Sequence, residues 1–250
     1  MKTMIKEALE YIVKLGENKT RMEKVVFPSG KEEIYCSGDF ERLEEYHPLA
    51  NSINMCTLTS LVDYIKGHID TMADRMIVHV ISPEEVWLFS RLDEYRKREY
   101  LVKVAAQLPS FRYGAFIDHE EFVINVQSKF LSDPETDKDL ILKFAGTVEQ
   151  GSVAEYGDSG VSQKATVKTG IASKSDAVVP NPVRLRPYRT FMEVEQPASE
   201  FIFRMKDNNG ITCALFEADG GAWKNAAMQN IKNYLESELA DYKEQFTVIS

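Results

Sequence analysis

The sequence predicts an α+β protein: antiparallel hairpins and meanders with interspersed helices, and a β-rich C-terminal half closed by a long helix. Three observations lead there. Short runs of alternating apolar and polar residues come in pairs joined by turn residues. Longer segments between them carry apolar residues at helical spacing. The two kinds of segment do not alternate with the regularity of parallel βαβ units.

Taken in order, residues 3–15 read as an amphipathic helix with Ile5, Leu9, Ile12 and Val13 on one stripe and Gly16 as its stop. The runs Arg21–Phe27 and Glu32–Cys36, separated by Pro-Ser-Gly, read as a hairpin. A second helix is capped by Thr57 or Thr59, with Leu58, Leu61, Val62, Ile65, Ile69 and Met72 at helical spacing. A meander comes next, from Met76–Ile81, Glu85–Ser90 and Arg98–Ala106, with Ser82-Pro83-Glu84 as its first turn. Asp118, with Glu121 three residues on, marks the start of a helix that buries Phe122, Val126 and Phe130. A short helix is expected at Asp139–Ala145.

From about residue 147 Val, Thr and Gly become frequent, which gives a mixed region 1–146 and a β-rich region 147–250, either as two folding units or as one continuous domain. Strands are expected at Thr147–Tyr156, Val161–Ile171 and Val183–Phe191, with Gly157–Gly160 as a turn and 172–182 as an irregular loop. Glu200–Met205 and Ile211–Glu217, joined by Asp-Asn-Asn-Gly, form a hairpin. The longest helix, Ala222–Leu239, turns Trp223, Ala227, Ile231, Tyr234 and Leu235 inward, and Phe246–Ile249 is a last strand.

Bulk composition narrows the function classes. The 250 residues carry a net charge of −9, which opposes generic binding to nucleic acid or anionic membrane over most of the surface. Cys36, Cys56 and Cys213 are odd in number and show no CxxC spacing, as expected of reduced thiols in a cytoplasm-like compartment. The N-terminus lacks signal-peptide character, and no apolar run is long enough to span a bilayer, so a cytoplasmic protein with no membrane partner is expected.

One stretch departs from that acidic background. Residues 160–191 hold six basic residues, Lys164, Lys168, Lys174, Arg184, Arg186 and Arg189, against the single acid Asp176. Lys164, Thr166 and Lys168 alternate on one predicted strand, and Arg184 and Arg186 on the next, with Tyr188 beside them. Two adjacent cationic strands suit either a contact between copies of the chain or a groove for single-stranded nucleic acid.

Other candidates carry less chemistry. Glu193 and Glu195, with Glu217 and Asp219, are acids at strand ends that a metal-dependent hydrolase would use, but no Glu-x-Lys follows either pair. FEADGGAWKNAA has the outline of a phosphate loop without GxGxxG or GxxxxGK[ST], and reads as a tight strand-to-helix turn. His47, His68, His79 and His119 lack metal-ligand spacing, and the acids around His119 fit a helix N-terminus. No metal, cofactor or catalytic residue is expected.

Thr57–Ile69 (TLTSLVDYIKGHI), followed by a hydrophobic strand, and Phe116–Phe130 (FIDHEEFVINVQSKF) resemble phage and prophage accessory proteins of the YfdQ type. The similarity covers about the middle third of the chain. Where that family has paired tryptophans, this chain has Phe111, Tyr113 and Phe116. The resemblance implies a phage-encoded protein made in the bacterial cytoplasm, with no enzyme chemistry to carry over. Taken with the basic stretch, it makes a non-enzymatic, self-assembling or partner-binding protein the leading expectation. A nucleic-acid-binding accessory factor comes second and a metal-dependent hydrolase third.

Overall fold

The computed structural model describes residues 6, 8–14, 22–27, 30, 32–36, 42–43, 49–73, 75–155, 163–168, 174–178, 181–207 and 210–250. The fold is α+β, as the periodicities predict. The chain divides into two compact units, Met1–Leu49 and Ala50–Ser250.

In the first unit, residues 8–14 form helix α1. Strands β1 (Met22–Val26), β2 (Glu32–Cys36) and β3 (Arg42–Leu43) form an antiparallel sheet in that order. The expected hairpin is present, with Met22 opposite Cys36 and the Gly30 N–H donating to the Phe27 carbonyl. Gly30 adopts φ 81°, a conformation that costs glycine little because it has no Cβ.

In the second unit, a five-stranded sheet has the order β15-β5-β6-β7-β4. Its strands are β4 (Ile53–Met55), β5 (Met76–Ser82), β6 (Glu85–Ser90), β7 (Tyr100–Ala105) and β15 (Phe246–Ile249). The central meander is antiparallel, while β4 and β15 add parallel to β7 and β5 at the two edges. Helix α2 (Leu58–Lys66) starts at Thr57, whose hydroxyl accepts from the Ser60 N–H. It buries Leu58, Leu61, Val62, Tyr64 and Ile65. Together with α5 (Ala222–Glu238) it covers one sheet face, and Val78, Val80, Leu88, Val102 and Val104 complete this first core. On the other face the register aligns His79, Trp87 and Lys103 in one row, with the Lys103 ammonium 5.0 Å from the Trp87 ring.

A four-stranded sheet, β12-β13-β14-β8, builds the second core. It joins β8 (Ile117–Asp118), β12 (Val183–Leu185), β13 (Ser199–Asp207) and β14 (Ile211–Glu217). Helices α3 (His119–Lys129) and α4 (Lys138–Thr147) complete this core, in which Phe122 of α3 stacks on Phe203 of β13 at 5.4 Å. Asp118 caps α3 by accepting from the Glu120 N–H at 2.9 Å, the role that its acidic surroundings predicted. Strands β9 (Val148–Glu155), β10 (Gln163–Lys168) and β11 (Lys174–Val178) form a third sheet, order β11-β10-β9.

Three expectations change. The compact units divide at Leu49/Ala50, not near residue 146. Partners from both sides of 146 share sheets and cores: β14 pairs with β8, β15 with β5, and Phe203 packs with Phe122. The loop expected at 172–182 contains β11, because Lys-Ser-Asp-Ala-Val finds its hydrogen bonds on β10 without an apolar run of its own. The strand expected at Val183–Phe191 stops at Leu185. Beyond it lies Pro187, which has no N–H to give to a ladder. The cationic strands β10 and β12 therefore belong to different sheets.

Candidate functional site

Residues 186–196 run between the two cores of the second unit. Leu185 is buried in one core, and Phe191 and Val194 in the other. Apart from one isolated bridge, Pro187 to Phe130, this crossing segment has no ladder, so much of its backbone is left for side chains to satisfy, and Gln196 does much of this. Its Oε1 accepts from the N–H groups of Arg189 and Thr190, at 3.0 and 3.2 Å. Its Nε2 donates to the carbonyls of Thr190, Phe191 and Val194. The Thr190 hydroxyl anchors the segment to the β5–β6 turn through the Pro83 carbonyl, at 2.6 Å. Replacing Gln196 with Ala strands several of these buried groups. It is expected to cost about 2 kcal/mol in urea unfolding.

This anchoring fixes Arg189. The residue is 7% exposed. Its guanidinium donates to Glu217 Oε1 at 2.8 Å and to the Ser199 hydroxyl, and lies 3.8 Å from the Trp223 ring centroid. Burial pulls its pKa down, while Tyr113, Glu217 and Asp219 oppose that pull. Ser199 in turn donates to Asp219 Oδ2 at 2.8 Å. Burial also raises the Tyr113 hydroxyl, with Arg189 pulling the other way.

Asp219 closes the start of α5. Its carboxylate accepts from the N–H of Gly221 at 3.0 Å and of Trp223 at 3.4 Å. Gly220 and Gly221 both take positive φ, 64° and 83°, which explains the glycine pair. The helix start that a phosphate would occupy is thus filled by the chain's own carboxylate, and the strand-to-helix reading of this segment holds. Burial pushes the Asp219 carboxyl up, but the bonds from Ser199, Gly221 and Trp223 outweigh it and leave the pKa lowered. A carboxyl lowered in the fold stabilises above its unfolded pKa of about 3.9 and loses that contribution as pH falls through the folded value. Asp219→Asn is therefore expected to be less stable than the parent at neutral pH. The deficit should shrink below about pH 4 in urea titrations at several pH values.

Around this network opens a cleft of about 670 Å³. The β5–β6 turn, residues 108–111, Tyr113, Lys129 of α3, residues 187–189, Glu217 and the first turn of α5 line it. Four of its lining residues are aromatic: Phe111, Tyr113, Tyr188 and Trp223. Aromatic walls with a few fixed polar groups and a volume in this range characterise small-ligand and peptide-segment sites.

The predicted site residues scatter. Arg189 and Tyr188 border the cleft. Arg186 is largely buried and paired with Asp133 at 2.9 Å and Glu195 at 3.4 Å. The Arg184 side chain is exposed while its N–H donates to Asp137. Lys164 and Lys168 lie on β10 and Lys174 on β11, where Lys168 stands opposite Lys174. The four acids separate as well. Glu193 accepts from the N–H of Thr59 in α2, Glu195 pairs with Arg186, and Glu217 and Asp219 serve the Arg189 network. Among the described residues no three His, Cys, Asp or Glu side chains are grouped to hold a metal ion. Nor does any helix among them have the length and apolarity to cross a membrane. Of the thiols, Cys56 is exposed, and Cys213 is buried with its pKa pushed up to about 12 by that burial. The turn at Gly157–Gly160, together with His47, lies outside the described residues.

Sequence reasoning missed Lys129, Phe111, Tyr113 and Lys224 as site residues. Phe111, Tyr113 and Lys129 come from one stretch and Lys224 from another about a hundred residues on, and no local pattern links the two stretches. No family model matches the chain, and no curated protein or solved structure matches it.

Proposed function

We propose that this chain is a non-enzymatic protein of phage or prophage origin that works by assembling with copies of itself. The observation that carries the reading is the apolar surface of the first unit. Leu9, Ile12 and Val13 on α1 stand 55–62% exposed, and Val25, Val26, Phe27 and Ile34 of the hairpin are exposed as well. A unit of 49 residues has little interior of its own, and this many exposed apolar side chains in it suit a contact with another molecule. The resemblance to YfdQ-type proteins supports the phage origin. It also supports a place of action in the bacterial cytoplasm.

Light scattering after size exclusion, at about 0.1 M and about 1 M salt, tests it. The expected mass is a multiple of 28.5 kDa at both salts, falling to 28.5 kDa in Ile12→Asp combined with Val26→Asp. A parent protein of 28.5 kDa at both salts overturns self-assembly.

Nucleic-acid binding is the second reading, favoured by the register of β10 and β11. That register sets the basic residues Lys168 and Lys174 at facing positions of neighbouring strands, a cationic pattern that suits a phosphate backbone. That reading predicts co-purifying nucleic acid that high salt strips away and that Lys168→Glu abolishes. A parent protein free of nucleic acid at low salt removes it.

A further inference from the structure

The geometry points to the Arg189 cleft as a binding site for an aromatic anion of the nucleotide class, with its base against Tyr188 and its phosphate held by Lys129 and Lys224. This goes beyond assembly and involves neither the first unit nor the β10–β11 lysines.

The charges on the cleft wall support an anion. The acid Glu217 is taken up by Arg189 at 2.8 Å, which removes both from the balance. Lys129 and Lys224 remain, opposed by Glu84 alone. Lys129 donates to the Ser110 carbonyl at 2.5 Å, a contact that leaves its charge uncompensated. Lys224 sits 5.9 Å from the Trp223 ring, and neither lysine has an acidic partner among the described residues. Two uncompensated ammonium groups on one concave wall attract an anion.

The aromatic groups support a flat ring. Phe111 and Tyr113 are tied to Phe130 and Phe201, and one neighbour of Trp223 is Arg189. Tyr188 is half-buried, lines the cleft and has no ring partner among the described residues. Its N–H is fixed to the Lys129 carbonyl at 3.0 Å, so the free ring and one of the lysines are held on adjoining backbone. A base stacks on such a ring irrespective of its identity.

Trp223 is 8% exposed and its indole N–H has no hydrogen-bond partner among the described residues; the same holds for Nε of Arg189. Buried donors are rarely left unsatisfied in folded proteins. Both side chains line this cleft. These two atoms lie beneath the cleft surface and do not themselves meet a ligand there, so the site rests on the two lysines and on Tyr188.

The chain has two tryptophans, Trp87 and Trp223, so Trp87→Phe leaves Trp223 as the only indole reporter. In that background AMP and UMP are expected to change the Trp223 emission saturably. Adenosine and inorganic phosphate, each lacking half of the ligand, should bind at least about tenfold more weakly. Tyr188→Ala, and separately Lys129→Ala with Lys224→Ala, should each weaken AMP binding by about tenfold. A single-stranded oligonucleotide distinguishes the source. Tighter binding than AMP, lost in the same variants, assigns the cleft to a nucleotide within a strand, and equal or weaker binding assigns it to a free nucleotide. Thermal shift of the unaltered protein with AMP provides a second readout independent of the tryptophan replacement. Absence of saturable binding in both measurements overturns the proposal, as does AMP binding that both sets of variants leave intact. The solution mass of the unaltered protein is read separately, so failure here leaves the assembly reading standing.

Discussion

Arg189→Ala is expected to destabilise the second unit by about 2 kcal/mol in urea unfolding, because it removes a buried guanidinium packed on Trp223 and bonded to Ser199 and to the more exposed Glu217. The side chain is 8% exposed and bonded to both Glu217 and Ser199, and it covers the Trp223 ring. Truncation leaves Glu217 without its counter-charge, frees the Ser199 hydroxyl from its donor and opens a space against the indole. Those costs differ from the net worth of the pair, since a well-packed apolar replacement of both partners can be neutral. Lysine is not expected to restore stability, because a point charge cannot reach Glu217 and Ser199 in a planar fork while lying flat on Trp223. Arg184→Ala is the matched control. That side chain is exposed, so its loss should fall within about 0.5 kcal/mol of zero. A small effect at Arg189, comparable with that at Arg184, would mean that the network is solvated and that the cleft has no rigid floor.

The contrast between these two arginines shows how far the sequence could be read. Charge counting along residues 160–191 treats Arg184, Arg186 and Arg189 as equal members of one cationic stretch. In the fold one is solvated, one is held by Asp133 and Glu195, and one is buried under Trp223. The acids that decide these fates lie as far as 53 residues away, and no local pattern reveals them. Elements defined by a strong local signal were legible. The helix behind Thr57, the capped helix at Asp118 and the β13–β14 hairpin all follow from period and turn chemistry. Strand β11 was not, because its hydrogen bonds depend on β10 and not on its own side chains. The cleft was legible only in part. Glu217, Asp219, the glycine pair and Trp223 mark a sharp strand-to-helix turn, and an arginine needing a buried acid is the signal that would have led from that turn to the site.

Phe122→Ala and Phe203→Ala carry the other large effect, each expected to cost about 4 kcal/mol. Both side chains are fully buried, and they stack at 5.4 Å with 20° between ring planes, joining α3 to β13. Each truncation loses the transfer energy of a ring and leaves a cavity that the neighbouring Met205 and Leu215 fill only by shifting. The double variant should be less destabilised than the sum of the two by about 1 kcal/mol, because the stacking contact is lost once rather than twice. Additive losses would mean that the rings contribute burial without a pairwise contact. The result bears on the whole second unit. If residues 147–250 folded apart from the helices that precede them, truncating Phe122 would unfold α3 and leave β13 and β14 standing. A single cooperative transition for both variants, seen alike by far-UV dichroism and tryptophan emission, is the expected outcome for one shared core.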